Sequence, residues 1–436
     1  MIYVTWVINW ALTGNNPPIS LKIKHFLQTL GPGILFASTA IGVSHLVQST
    51  RAGAEYGFGL VGFIIAANLF KWPFFEFGSR YASATGESLI DGYQKISPWF
   101  SRLFLGINLV SMFFVNAAVS LVAAGFLQNL FNIEMAPAYF FVPSILLLLT
   151  SFLFLALGRY SLLDSGIKII GSFMVVTTLL AFFIALANGP KAPTQNFSIF
   201  AQLTPHSLPF VIALMGWMPT AIDASTWNSL WTIARIKQSG YKPTVKESVF
   251  EFNIGYWISA ILSICFVVLG AFLLFNTGNT LPDNNVAFAT GVVNLYATQL
   301  GSWTFLIIAA AGFSIMLGTC IGAMDGYARS TARVIAVMRN QEEKKSDYLL
   351  WLVLITFGGM LVITFFMASF NQLIGLATTI SFLIAPIIAI LNYKLIFSQH
   401  LTKKQQPGEA MRWLSIAGIG FLFLFSFVLI YFNWFK

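Results

Sequence analysis

Eleven stretches of about 18 or more mostly apolar residues follow one another along this chain. They run at 31–48, 59–78, 103–130, 139–157, 169–187, 208–231, 254–275, 303–324, 349–367, 373–391 and 414–434. At about 1.5 Å of rise per residue, each is long enough to cross a hydrocarbon core about 30 Å thick. Lipid offers backbone amides no partner, so each span must satisfy its own hydrogen bonds. The runs are helix-length rather than short alternating segments, which excludes a membrane β-barrel. With 57% hydrophobic and 9% charged residues there is too little polar surface for a soluble domain. The expected fold class is therefore an all-α membrane protein of about 11 transmembrane helices.

A formal charge of +9 is also what a nucleic-acid footprint would show, but the cations lie between the apolar runs rather than in one basic domain. Membrane topology explains them, and no nucleic-acid partner is expected. With the amino terminus in the cytoplasm, Arg235, Lys237, Lys242, Lys246, Arg329, Arg333, Arg339, Lys344, Lys345, Lys403, Lys404 and Arg412 all fall inside. The other side keeps little beyond Arg51, Lys191 and Lys436. By the positive-inside rule the carboxyl terminus is outside, in a protein of the cell (inner) membrane whose partners are the bilayer and a small ion or solute. Cys265 and Cys320 sit within apolar runs at no metal or redox spacing, so they read as core residues with no disulfide. Residues 1–12 are apolar but short, with no basic leader or clear cleavage site. They are expected to be an interfacial segment or an over-extended start rather than a signal peptide. The longest loop, 276–302, carries an apolar stretch at 286–300 expected to form an external surface helix. The whole chain, 1–436, is expected to be one domain.

Two spans are interrupted. The first holds Ala40-Ile41-Gly42-Val43-Ser44-His45 at mid-membrane, and the sixth holds Met215-Gly216-Trp217-Met218-Pro219-Thr220, followed by Asp223. Pro219 has no amide hydrogen and crowds the preceding turn, so carbonyls near Met215 lose their usual donors and are free to face a ligand. Interrupted helices five spans apart point to an inverted-repeat transporter with its site near the bilayer midplane, although Pro and Gly also kink membrane helices for packing alone. The repeats are expected at about 31–187 and 208–391, with 414–434 as an added helix.

Beyond these breaks, Gly31-Pro32-Gly33, Gln48, Ala52-Gly53-Ala54-Glu55-Tyr56-Gly57, Asn68, Ala84-Thr85-Gly86 and Met218-Pro219 resemble the Nramp family of divalent-metal transporters. The resemblance implies the five-plus-five inverted-repeat fold of the amino-acid/polyamine/organocation superfamily, with broken helices 1 and 6. The site departs from the family pattern. Where that pattern has Asp-Pro-Gly-Asn, this chain has Gly42-Val43-Ser44-His45, with His45 in the asparagine position. Met-Pro-His becomes Met218-Pro219-Thr220. The acidic residues the family carries in span three have no counterpart, since no Asp or Glu occurs between Asp91 and Glu134. The polar position of span ten falls near Thr378. The resemblance thus implies a substrate or metal site drawn from Ala40, Gly42, His45, Met215, Met218 and Thr378.

An imidazole at His45, a thioether at Met218 and freed carbonyls near Ala40 and Met215 suit a late first-row divalent ion better than Mg²⁺ or Ca²⁺. Two positive charges at mid-membrane need a counter-charge, and Asp223 is the nearest candidate. Span two adds Lys71, Glu76 and Arg80 to an apolar stretch. Glu76 and Arg80 have helix-pair spacing, whereas Lys71 would lend a fixed charge, replace a coupling ion or take up a proton. Lys71, Glu76 and Asp223 are accordingly candidates for charge coupling or gating.

The expected function is secondary transport that imports a divalent transition metal such as Mn²⁺ or Fe²⁺ by alternating access, with symport of protons in question. The same fold carrying a small organic solute or an anion is the alternative that the missing carboxylate and the added Lys71 favour. A membrane-embedded enzyme would need a cluster such as His-Glu-x-x-His, which no span contains. No catalytic residue and no cofactor are therefore expected, the metal ion being cargo.

Overall fold

Every regular element of the chain is helical in a computed structural model describing residues 25–436 except 137–138, 140, 159, 193–197, 201–202, 206, 279–280, 283, 366–369 and 436. The apolar opening stretch 1–12 lies outside the described residues. The first span is split into α1 (Pro32–Ala40), a π-helical turn (Ser44–Ser49) and α2 (Thr50–Tyr56). Span two is α3 (Val61–Thr85), and the short α4 (Leu89–Ile96) leads to span three, α5 (Pro98–Phe131). Spans four and five are α6 (Val142–Ala156) and α7 (Tyr160–Asn188).

The second set opens with another split span, α8 (Leu208–Gly216) and α9 (Ala224–Ser239), followed by α10 (Val245–Leu273). After α11 (Asn285–Leu300) come α12 (Phe305–Met338), α13 (Lys345–Phe365), α14 (Phe370–Ile396) and α15 (Glu409–Phe435). Among the described residues, helices thus occupy each of the eleven expected spans, the first and sixth in two pieces. Six helices among the described residues are long and apolar enough to cross a membrane unaided. Helix α3 matches them in length but carries Lys71, Glu76 and Arg80, each with a partner inside the bundle.

Helix α11 differs from expectation. It is not a helix lying loose on the surface: Phe288, Ala289, Val292, Val293 and Tyr296 are buried, and Asn285 donates to the Leu121 carbonyl of α5 at 3.1 Å. Its amino-terminal backbone also lies so close to α5 that a Cβ at Gly125 would come 2.3 Å from the Asn285 oxygen. An apolar helix that can reach a protein face buries itself there rather than against lipid headgroups.

The outward faces of α13 and α15 present Leu354, Phe357, Leu361, Phe365, Phe423, Leu424 and Phe427. Apolar side chains of this size on the outside of a helical bundle are matched by lipid, not water.

The glycines of the first span set how it is held. A Cβ at Gly33 would sit 2.6 Å from the Glu251 carbonyl oxygen, and one at Gly255 2.1 Å from that of Gly33. Beyond the break the contact repeats, with Gly53 against Val267 and Gly270 against Thr50. Both halves of span one therefore pack backbone to backbone on α10, as small residues permit in lipid, where there is no hydrophobic drive between helices. The Glu251 carboxylate accepts from the amides of Gly31 and Gly33, both at 2.9 Å, and satisfies the otherwise orphaned amino end of α1.

Candidate substrate site

Helix α1 stops at Ala40 because Ile41 (φ −75°, ψ 78°) leaves the helical region. Gly42 then passes against span eight, where a Cβ would come 2.6 Å from the Thr319 hydroxyl. The chain re-enters helix through a π turn, and the Ser44 hydroxyl lies 2.9 Å from the Ala40 oxygen and 3.1 Å from the Pro219 oxygen. Ser44 thereby ties the two breaks together.

In span six the reason for the break is stereochemical. The Met215 carbonyl would accept from residue 219 in an unbroken α-helix, and that residue is Pro219, which has no amide hydrogen. The backbone stays irregular until Ala224. The released carbonyls of Met215 and Gly216, together with that of Thr220, accept from the ammonium of Lys71 at 3.1, 2.9 and 2.8 Å. Lys71 is wholly buried. Asp223 is also buried and interacts electrostatically with Lys71. One of its carboxylate oxygens accepts from the Tyr327 hydroxyl at 2.7 Å, and the other, Oδ1, has no hydrogen-bond partner among the described residues.

Between the two breaks lies a cavity of about 30 Å³. Thr39, Ala40 and Ser44 line it from span one, and Trp217, Thr220, Ala221 and Trp227 from span six. Val115 and Val119 close it from α5, and Thr319 and Ala323 from α12. That volume holds one or two water-sized bodies. Helix α9 then leads from this cavity, at Trp227, to a vestibule of about 970 Å³ at the end carrying the basic loops, where Lys237 joins Asp91, Arg329, Arg333 and Glu343. Near that end Asp325 accepts from Arg329 at 2.7 Å, from the Tyr348 hydroxyl at 2.8 Å and from the Trp231 indole at 3.2 Å.

The sequence-derived candidates other than Glu76 gather around the breaks, but they face different ways. Ala40 lines the cavity. Met215 contributes its carbonyl to Lys71, and Met218 is fully buried outside the lining. His45 points into span seven: Nε2 lies 2.9 Å from the Ser259 carbonyl, which only accepts, so this nitrogen carries the hydrogen. Nδ1 lies 2.7 Å from the Ser44 hydroxyl. Thr378 bonds back to its own helix at Ile374, and its carbonyl supports α8 where Gly216 has no side chain. Glu76 accepts from Arg80 at 2.8 Å, and Arg80 donates to the Gln405 carbonyl at 3.0 Å, so this pair anchors a loop. Thr319, Trp227 and Tyr327 are not singled out by the sequence. Their only signal is a hydroxyl or indole within an apolar run.

The Nramp family model, "Natural resistance-associated macrophage protein-like", matches residues 33–432. The chain belongs to the Nramp family. An uncharacterized protein of Pasteurella multocida (strain Pm70) is 35% identical over 411 residues, which cover 92% of this chain and 91% of that one. A divalent metal cation transporter, MntH, of Staphylococcus aureus (strain Mu3) is 23% identical, covering 70% of each chain. Among solved structures, a mutant of the Eremococcus coleocola manganese transporter superposes with a TM-score of 0.71 at 14% identity, covering 96% of this chain and 89% of that one. This Nramp protein is thus an integral membrane transporter with the family's fold, not an enzyme. Its site is poorer in acids than a metal cage: among the described residues no group of three or more His, Cys, Asp or Glu is placed to hold an ion.

Proposed function

We propose that this Nramp protein imports a divalent transition metal ion, Mn²⁺ or Fe²⁺, by alternating access between its two broken spans. The observation that carries the reading is the small cavity of about 30 Å³ between the two breaks, room for one or two water-sized bodies and so for a single ion with its nearest water. The hydroxyls of Thr39, Ser44, Thr220 and Thr319 offer oxygen ligands, and Ala40 adds its backbone. Asp223, with a carboxylate oxygen left unpaired, supplies the counter-charge. His45 and Met218 stand just behind as nitrogen and sulfur donors that a rearranged break would present. The repeats are taken as 31–187 and 208–391, with 414–434 added. The basic vestibule faces the cytoplasm and the carboxyl terminus lies outside the inner membrane, the orientation that the loop cations support.

A second reading, transport of a small organic solute or anion, is favoured by the Lys71 ammonium, a cation already resident beside the site. Uptake into proteoliposomes of Mn²⁺, Fe²⁺, Mg²⁺ and Ca²⁺, with a proton-sensitive dye inside, separates them. Saturable Mn²⁺ or Fe²⁺ uptake supports the metal reading and the dye reports proton symport. No uptake of any divalent ion by folded protein overturns it.

A further inference from the structure

We propose that the break in span six is a cation-binding cage, formed by the carbonyls of Met215, Gly216 and Thr220, that the chain fills with its own ammonium from Lys71. The cage is separate from the ion-sized cavity: of its residues only Thr220 also lines that cavity. Its geometry is that of a cation site. Three backbone oxygens, two from the carboxyl end of α8 and one from the irregular segment after it, converge on a single nitrogen at 2.8–3.1 Å. Two of them lose their usual helical donors at Pro219 and the end of α8, although Met215 still accepts from the Met218 amide at 3.4 Å, and Asp223 interacts electrostatically with the ammonium. Unwound carbonyls with a nearby carboxylate are hard oxygen donors, the ligand type that alkali cations accept. A lysine ammonium is a compact point charge on a flexible stem, so it substitutes for such an ion where a planar guanidinium does not. Burying it is tolerable because all three of its hydrogens find acceptors and an opposite charge lies close by.

The consequence is that the chain needs no dissociable alkali ion to hold span six in its broken form. Emptying the position creates a site for Na⁺ or K⁺. This inference does not depend on which substrate is carried. It is read from cation-dependent stability, whereas the metal reading is read from Mn²⁺ uptake, so either can fail while the other stands.

The test compares melting temperatures of the full-length protein in detergent, in choline, sodium and potassium chloride at equal ionic strength. Wild type is expected to melt at one temperature in all three salts. A saturable rise specific to Na⁺ or K⁺ in wild type would overturn the proposal. Lys71→Ala, which clears the stem, and Lys71→Gln, which keeps donors without charge, are expected to gain a saturable stabilisation by Na⁺ or K⁺. Wild type should show no such saturation over the same range of salt. Recovery of an Ala variant only when it is purified in Na⁺ or K⁺ would support the cage equally. Folded variants with the salt response of wild type would show that the carbonyls form no cation site. If neither variant folds in any salt, the wild-type comparison decides alone.

Discussion

The ammonium of Lys71 lies 2.9 Å from the carbonyl oxygen of Gly216, so a charge from the middle of span two is held by the backbone of the broken span six. This contact gives backbone carbonyls at the break of span six a donor inside the membrane. The orphaned carbonyls are satisfied by a fixed internal donor instead of a bound ion or water. It also brings the ammonium, which interacts electrostatically with Asp223, to 2.8 Å from the carbonyl of Thr220, a residue that lines the neighbouring cavity.

In the proposed function, Asp223 supplies the counter-charge to an entering cation. Asp223→Asn is expected to lower the kcat/KM of Mn²⁺ uptake by a factor of about ten or more, equivalent to about 1.4 kcal/mol or above. Tyr327→Phe, which removes the hydroxyl at 2.7 Å, should fall between Asp223→Asn and wild type. Uptake kinetics in proteoliposomes check both, and an Asn variant with wild-type kcat/KM would remove Asp223 from the site.

His45 supports the first break through Ser44 and Ser259. His45→Ala removes the imidazole from between the Ser259 carbonyl and the Ser44 hydroxyl and is expected to cost about 1–3 kcal/mol of stability. His45→Gln, able to donate and accept, should recover much of that loss. Thermal melting of the two variants in one detergent measures the difference.

Packing of span one on α10 depends on bare backbone. Gly255→Val would drive a side chain into the Gly33 carbonyl, only 2.1 Å from where its Cβ must sit. A loss of more than about 3 kcal/mol is expected, since a rigid backbone cannot make way. Yield and melting temperature of the purified variant check it, and Gly375→Val, with nothing within 4 Å, serves as the control.

Outside the membrane, Glu343 lines the basic-end vestibule, and burial raises its carboxyl above the ordinary value despite Arg329 and Arg333 nearby. A carboxyl raised in the folded state binds its proton more tightly there than in the unfolded chain. Stability from this group is thus present below its unfolded value and is lost as pH rises through the raised one. Glu343→Gln is expected to stabilise the protein at neutral pH and to have no effect below about pH 4. Melting curves of wild type and variant from about pH 4 to 8 would show the two converging at the acid end.

Much of this arrangement is legible in the sequence. Runs of apolar residues mark the spans, and Gly42 and Pro219 mark both breaks, because a proline removes a donor wherever it falls. Lys71 stands out as a charge in an apolar helix. Its partners do not, since they are backbone atoms 144 to 149 residues away that carry no side-chain signature. The direction of His45 is hidden for a different reason: the π turn at Ser44–Ser49 adds a residue to the helix and rotates every later side chain of the span. Thr319 and Tyr327 escape notice because hydroxyls are common in membrane helices, where many bond back to their own turn. Thr378 does just that.

The most direct test is to locate the ion. Anomalous scattering at the manganese edge, from crystals of this Nramp protein grown with Mn²⁺, should show one peak between Ala40, Ser44, Thr220 and Thr319. Manganese bound elsewhere in the protein, or no peak in that cavity at saturating Mn²⁺, would contradict the account.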